Sequence, residues 1–142
     1  LKKIIIETIP HSQQRAENVG DYFQDPEGTW HIKVSDMGDW RMNFLIYLHE
    51  LIELGITQAW CISEPDIQKF DEMWFAEQAK GLHPDDAEPG FDPRSPYYQA
   101  HEYSTLIENL TARELCINWQ EYGNVVNEVS KTPLTSNQGR TL

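Results

Sequence analysis

The chain is short of basic residues, of cysteine and of long apolar runs, and each scarcity removes a class of function. Only 11 Lys and Arg stand against 23 Asp and Glu, a formal net charge of −12. Nucleic acid and anionic membrane surfaces are bound through Lys/Arg footprints, so neither is expected as a direct partner. Cations and basic proteins suit such a surface better. With two Cys among 142 residues, a disulfide framework is not expected. Both lie in apolar contexts, AWCI around Cys61 and ELCINW around Cys116, and read as buried free thiols in a reducing compartment. No charged-then-apolar leader and no apolar run of about 18 residues is present, so a cytoplasmic chain without a membrane span is expected. Also missing are GxxxxGK[ST], GxGxxG, paired CxxC and GxSxG, which leaves nucleotide, dinucleotide, zinc-finger and serine-hydrolase chemistry without support.

What is present is a folded-domain composition: 39% hydrophobic residues, with five Trp, enough for one domain with a sizeable core. KIIIETI (3–9) is a β-branched run stopped by Pro10. VGDYFQ (19–24) and TWHIKVSD (29–36) flank Asp25-Pro26-Glu27-Gly28, the pattern of a hairpin. Within the second strand Trp30, Ile32 and Val34 share one face, opposite His31, Lys33 and Ser35. Asp39 is placed to cap a helix over 40–54, ended by Gly55, and Ser63 with Pro65 to open a second helix that stops at Gly81. The Pro-rich acidic stretch 82–96 must be a loop. A third helix is predicted over 96–119, then a short fourth, then a tail over 131–142. Strands first and helices after predict one small α+β domain over 1–130: an antiparallel sheet or hairpin followed by about four helices.

The first helix carries FLIYLHELIELGI (44–56), in which His49, Glu50 and Glu53 interrupt an apolar run. Residues i and i+4 lie about 40° apart on a helix, so His49 and Glu53 point the same way, inside the stripe formed by Met42, Leu45, Ile46, Ile52 and Ile56. A His–Glu pair in apolar surroundings needs compensation. A divalent cation supplies it by taking imidazole nitrogen and carboxylate oxygen directly, with the Glu at i+1, Glu50, as general base. The alternative is that His49 and Glu53 hydrogen-bond each other or a neighbour inside the core. A third ligand can come from the later helix, where His101, Thr105 and Glu108 share a face: His101 completes the set and Glu108 orients it. Two His and one carboxylate with an open position suit zinc, or iron(II) or manganese. Asp71, beside Phe70 and Trp74, is a candidate fourth ligand, or a cap or exposed charge. His83, Asp85, Asp86, Glu88 and Asp92 in the loop lack calcium-loop spacing and read as solvated charge, while His31 and His11 read as surface.

TWHIKVSD followed directly by HELIE resembles the zincin-like metallopeptidases, over roughly residues 28–110. Glu53 stands where that fold has its second His, and His101 where many members have a Glu. The segments IPHSQQR, VGDY, IKVSDMGDW, HELIE, FDEMW and DPRSPYYQAHEYST also resemble an uncharacterised group of small phage and bacterial proteins. The resemblance implies a zincin-like domain in a phage or bacterial host cell, with His49, Glu53 and His101 as metal ligands, Glu50 as base and Asp71 as a candidate addition. Two functions follow from these readings. One is a zinc-dependent hydrolase of peptide or amide bonds, with strand 29–36 pairing an extended substrate and loop 82–96 as rim or lid. The other is a non-catalytic, metal-stabilised module whose acidic surface binds a basic partner.

Overall fold

In the computed structural model, which describes residues 1–135, three strands precede four helices in an α+β fold. The strands are β1 (Ile4–Ile9), β2 (Gly20–Gln24) and β3 (Trp30–Ser35). The helices are α1 (Trp40–Ala59), α2 (Glu64–Ala79), α3 (Tyr98–Glu114) and α4 (Trp119–Ser130). The turn after β2 forms as its sequence requires: Asp25 Oδ1 accepts hydrogen bonds from the backbone amides of Glu27 and Thr29, and Gly28 takes a φ of 85°. The sheet order is β1-β3-β2, with β2 antiparallel and β1 parallel to β3. The sheet is therefore mixed rather than antiparallel, and β3 is its central strand. Both edges of β3 are already paired, so the expected docking of a peptide on this strand is excluded.

Alternation on β3 holds where it was expected to. Trp30, Ile32 and Val34 are buried and meet Leu45 and Leu54 of α1, Ala112 of α3 and Tyr122 of α4 in one core. Burying each large aliphatic side chain contributes about 1.5–3 kcal/mol, which holds the sheet against the helices. Ser35 breaks the alternation: it is fully buried, because His11 and Gln14 hydrogen-bond to it. His11, expected at the surface, is also buried. His31 is half-buried, with Nε2 2.8 Å from Asp25 Oδ2 and its ring stacked on Phe23, so it braces the hairpin.

Asp39 caps α1 by accepting from the Arg41 amide at 2.9 Å. The helix does not end at Gly55 but continues to Ala59, since Gly55 lies on an open face where a glycine only weakens the helix. It ends where Cys61 turns left-handed at φ 56°, the Cys61 amide bonding Gln58 O and the Ile62 amide bonding Thr57 O. The third helix likewise stops at Glu114, short of Trp119, because Cys116 makes the same turn at φ 56°. This corrects the reading of the thiols: Cys61 and Cys116 are exposed helix-terminating residues, not core residues. α2 buries only Trp74 and leans on the Pro89–Phe91 turn of the acidic loop. The backbone amide of Thr135 reaches Ser12 O at 2.8 Å, so the chain is held at least that far. The rest of the tail expected over 131–142 lies outside the described residues. Among the described residues no helix is long and apolar enough to cross a membrane.

Candidate metal centre

The antiparallel approach of α1 and α3 brings the sequence-predicted ligands together. His49 and Glu53 are one turn apart on α1, and His101 faces them from α3. His49 Nε2 lies 3.3 Å from Glu53 Oε2 and 3.2 Å from His101 Nδ1. The third side, His101 Nδ1 to Glu53 Oε2, is 2.9 Å. Two ligand atoms held about 2.05 Å from a tetrahedral zinc are about 3.3 Å apart, so the triangle is close to the size that a first-row ion needs. Among the described residues this is the one group of His, Cys, Asp and Glu whose atoms converge in that way, and it could hold a metal ion.

The surroundings fix the imidazoles. His49 Nδ1 donates to Glu108 Oε2 at 2.7 Å, which leaves the Nε2 lone pair facing the centre. The expected support from Glu108 is thus present, but it acts on His49 and not on His101. Glu108 in turn accepts from the hydroxyl of Tyr122 on α4. On the other side Tyr22 of β2 donates to Glu53 Oε1 at 3.3 Å. The face of the His101 ring lies on Gly90, where an added Cβ would come within 2.5 Å of Cγ. Phe91 meets the same ring edge-on at a centroid distance of 4.5 Å. The acidic loop therefore does cover this side of the centre. His101 Nε2 has no hydrogen-bond partner, and the carboxylate of Glu88 stands 3.5 Å away.

Titration follows from these contacts. Burial pushes the Glu53 carboxyl up, but hydrogen bonds from His101 and His49 overcome it and hold the group at about 2. Burial works to lower both imidazoles, yet Glu108 and Glu53 raise His49 well above the usual range, and Glu53 raises His101 to about 9. Without an ion the centre keeps its charge balance by holding protons on the imidazoles. A divalent cation can take their place.

Glu50 is partly buried and packs on the first residue of β2: a Cβ on Gly20 would meet Glu50 Oε1 at 2.4 Å. Burial, and next the charge of Glu53, push its carboxyl up to about 8. Asp71 is not one of the converging residues. Its Oδ1 accepts a hydrogen bond from the Tyr97 hydroxyl at 2.8 Å, and burial raises it to about 6. Tyr22, Tyr122 and Gly90 escaped the sequence reading, since each comes from a separate element and carries no spacing to the HELIE segment.

No protein-family model, no characterised protein and no solved structure matches the chain.

Proposed function

We propose that the protein is a metal-dependent hydrolase of peptide or amide bonds, zincin-like in kind, with His49, Glu53 and His101 as ligands and Glu50 as general base. Zinc suits two imidazoles and a carboxylate, and iron(II) or manganese takes the same set. The observation that carries this reading is the convergence of three ligand atoms with Glu50 one position along the same helix from His49. When bound, the ion would polarise the scissile carbonyl and acidify water. Glu50 then has the task of removing a proton from that water and returning it to the leaving amine. Its carboxyl, held at about 8 in the metal-free protein, falls when positive charge enters the centre and becomes available as a base. Gly20 gives it room, and the free edge of β2 beside it is the strand available to an extended substrate.

A second reading, a metal-stabilised binding module, is favoured by burial: His49, Glu53 and His101 are only 8%, 7% and 8% exposed. Metal analysis followed by turnover separates the two. Protein purified without chelator should carry about one equivalent of ion, lost in His49→Ala and Glu53→Ala. Glu50→Gln should keep the ion and lose about 10²–10⁴-fold in hydrolysis of a quenched-fluorescent peptide library. Failure to bind added zinc sinks both readings, whereas binding without turnover in the wild type leaves the module.

A further inference from the structure

A cavity lies not at the metal centre but directly behind it. Its volume is about 330 Å³, and Trp74, His83, Asp86, Glu88, Phe91 and Asp92 line it. Two of these residues also form the outer support of the centre: Phe91 packs on the His101 ring, and Glu88 faces His101 Nε2. One side chain thus separates the cavity from the candidate ligand set. The Trp74 ring is buried and stacked on His83 at 4.4 Å and 7°, which gives the cavity a rigid aromatic wall. Phe91, 49% exposed, gives a second, open aromatic surface.

Charge decides what such a space accepts. Asp92 is already paired with Arg94, and His83 with Glu77. Among the described residues Asp86 and Glu88 have no Lys or Arg partner, and no Lys or Arg lines the cavity, its one imidazole, His83, being already matched by Glu77. These carboxylates do not converge as metal ligands do, since the converging group is His49, Glu53 and His101. A bare metal ion is therefore a poor occupant. A flat or extended organic cation fits better, because it can lie on an aromatic face while acids stand at its rim. Glu88 stands 3.5 Å from His101 Nε2, and its carboxylate also borders the cavity, so it faces both the centre and the space behind it.

We propose that this cavity is a recognition pocket for a Lys or Arg side chain of a polypeptide, which makes basic peptides the substrate class of the neighbouring centre. The inference about substrate rests on the hydrolase reading; the pocket itself does not. The test is a titration of isotope-labelled protein, followed by NMR, with N-acetylated, C-amidated Gly-Arg-Gly and Gly-Lys-Gly, against Gly-Leu-Gly and 1,4-diaminobutane. The expected result is saturable shifts at the Trp74 indole and at the amides of residues 86–92 with the Arg and Lys peptides alone. Binding should weaken about tenfold in the surface double variant Asp86→Asn/Glu88→Gln and about threefold in Phe91→Ala. Equal binding of the Leu peptide, equal or tighter binding of the diamine, or insensitivity to the double variant overturns the pocket. Repeating the titration on Glu50→Gln and on chelator-treated protein separates the two proposals. Retained peptide binding without any wild-type cleavage removes the hydrolase and keeps the pocket. Cleavage with no preference for basic residues does the reverse.

Discussion

The protein buries imidazoles in two places and solves the problem differently in each. Under the sheet, His11 Nδ1 bonds Ser35 Oγ at 2.8 Å, and Gln14 Nε2 reaches Ser35 Oγ at 3.0 Å and the carbonyls of Val19 and Lys33 at 3.2 Å. Every partner there is neutral. Between α1 and α3, His49 and His101 are matched with the carboxylates Glu53 and Glu108. Burial lowers His11 below the usual imidazole range, while the carboxylates lift His49 and His101 above it. The neutral network ties a turn to a strand and gathers no carboxylate, although it leaves His11 Nε2 and Gln14 Oε1 buried without a partner. A network that sets carboxylates against buried imidazoles balances its charge with protons, and a cation can take their place.

The largest expected difference between the two comes from removing the side chain at the middle of each. Glu53→Ala leaves two imidazoles facing each other at 3.2 Å and takes away the carboxylate they share, with Glu108 still on His49 alone, and should destabilise the metal-free protein by roughly 3–5 kcal/mol. Gln14→Ala removes only neutral hydrogen bonds and should cost about 1–2 kcal/mol. Urea unfolding in the presence of chelator measures both. Similar losses would mean that the α1–α3 centre is an ordinary polar network.

The next difference is in the direction of pH dependence, again without metal. His101 rises from 6.5 unfolded to about 9 folded, so its contribution is complete below pH 6.5 and disappears as pH climbs through 9. Glu53 falls from 4.5 to about 2, so its contribution is complete above pH 4.5 and is lost as pH drops towards 2. The same contacts underlie both, which places the greatest support from the centre between pH 4.5 and 6.5. From pH 6.5 to 9 the loss should be on the order of 3 kcal/mol. His11 has the opposite sign: lowered when folded, it supports the fold fully above pH 6.5 and loses that support as pH falls through its folded value. Unfolding free energies at pH 5, 7 and 9 should therefore show His101→Gln flattening the alkaline limb and His11→Asn the acid limb. Both variants acting on one limb would refute the contrast.

Much of this was legible in the sequence, and the failures share causes. Strand alternation and the caps at Asp39 and Ser63 were readable because their signals are local. His49 and Glu53 followed from helical spacing alone, and His101 from its place on a long helix. Helix ends failed at Gly55 and Trp119 because two cysteines, residues seldom chosen for a left-handed turn, stop the chain instead. The central position of β3 was hidden since it depends on β1 pairing across an intervening strand. Tyr22, Tyr122 and Gly90 were invisible for the same reason: they reach the centre by tertiary packing, and one residue carries no period. His11 failed because a polar segment after Pro10 looks exposed until its partners Ser35 and Gln14 are known.

The finest distinction between the networks lies in their outermost hydroxyls. Tyr122 supports Glu108, and through it His49, while Ser35 supports His11. Tyr122→Phe and Ser35→Ala each remove one hydroxyl, and each should cost about 1 kcal/mol of stability. Stability alone would not tell them apart. Metal affinity should: releasing Glu108 from Tyr122 loosens the His49 ring and weakens zinc binding about tenfold, whereas Ser35→Ala leaves it unchanged. Competition with a zinc-chelating dye reads this directly. If both variants bind zinc like the wild type, Glu108 orients His49 without help from α4, and the support of the centre stops at the α1–α3 pair.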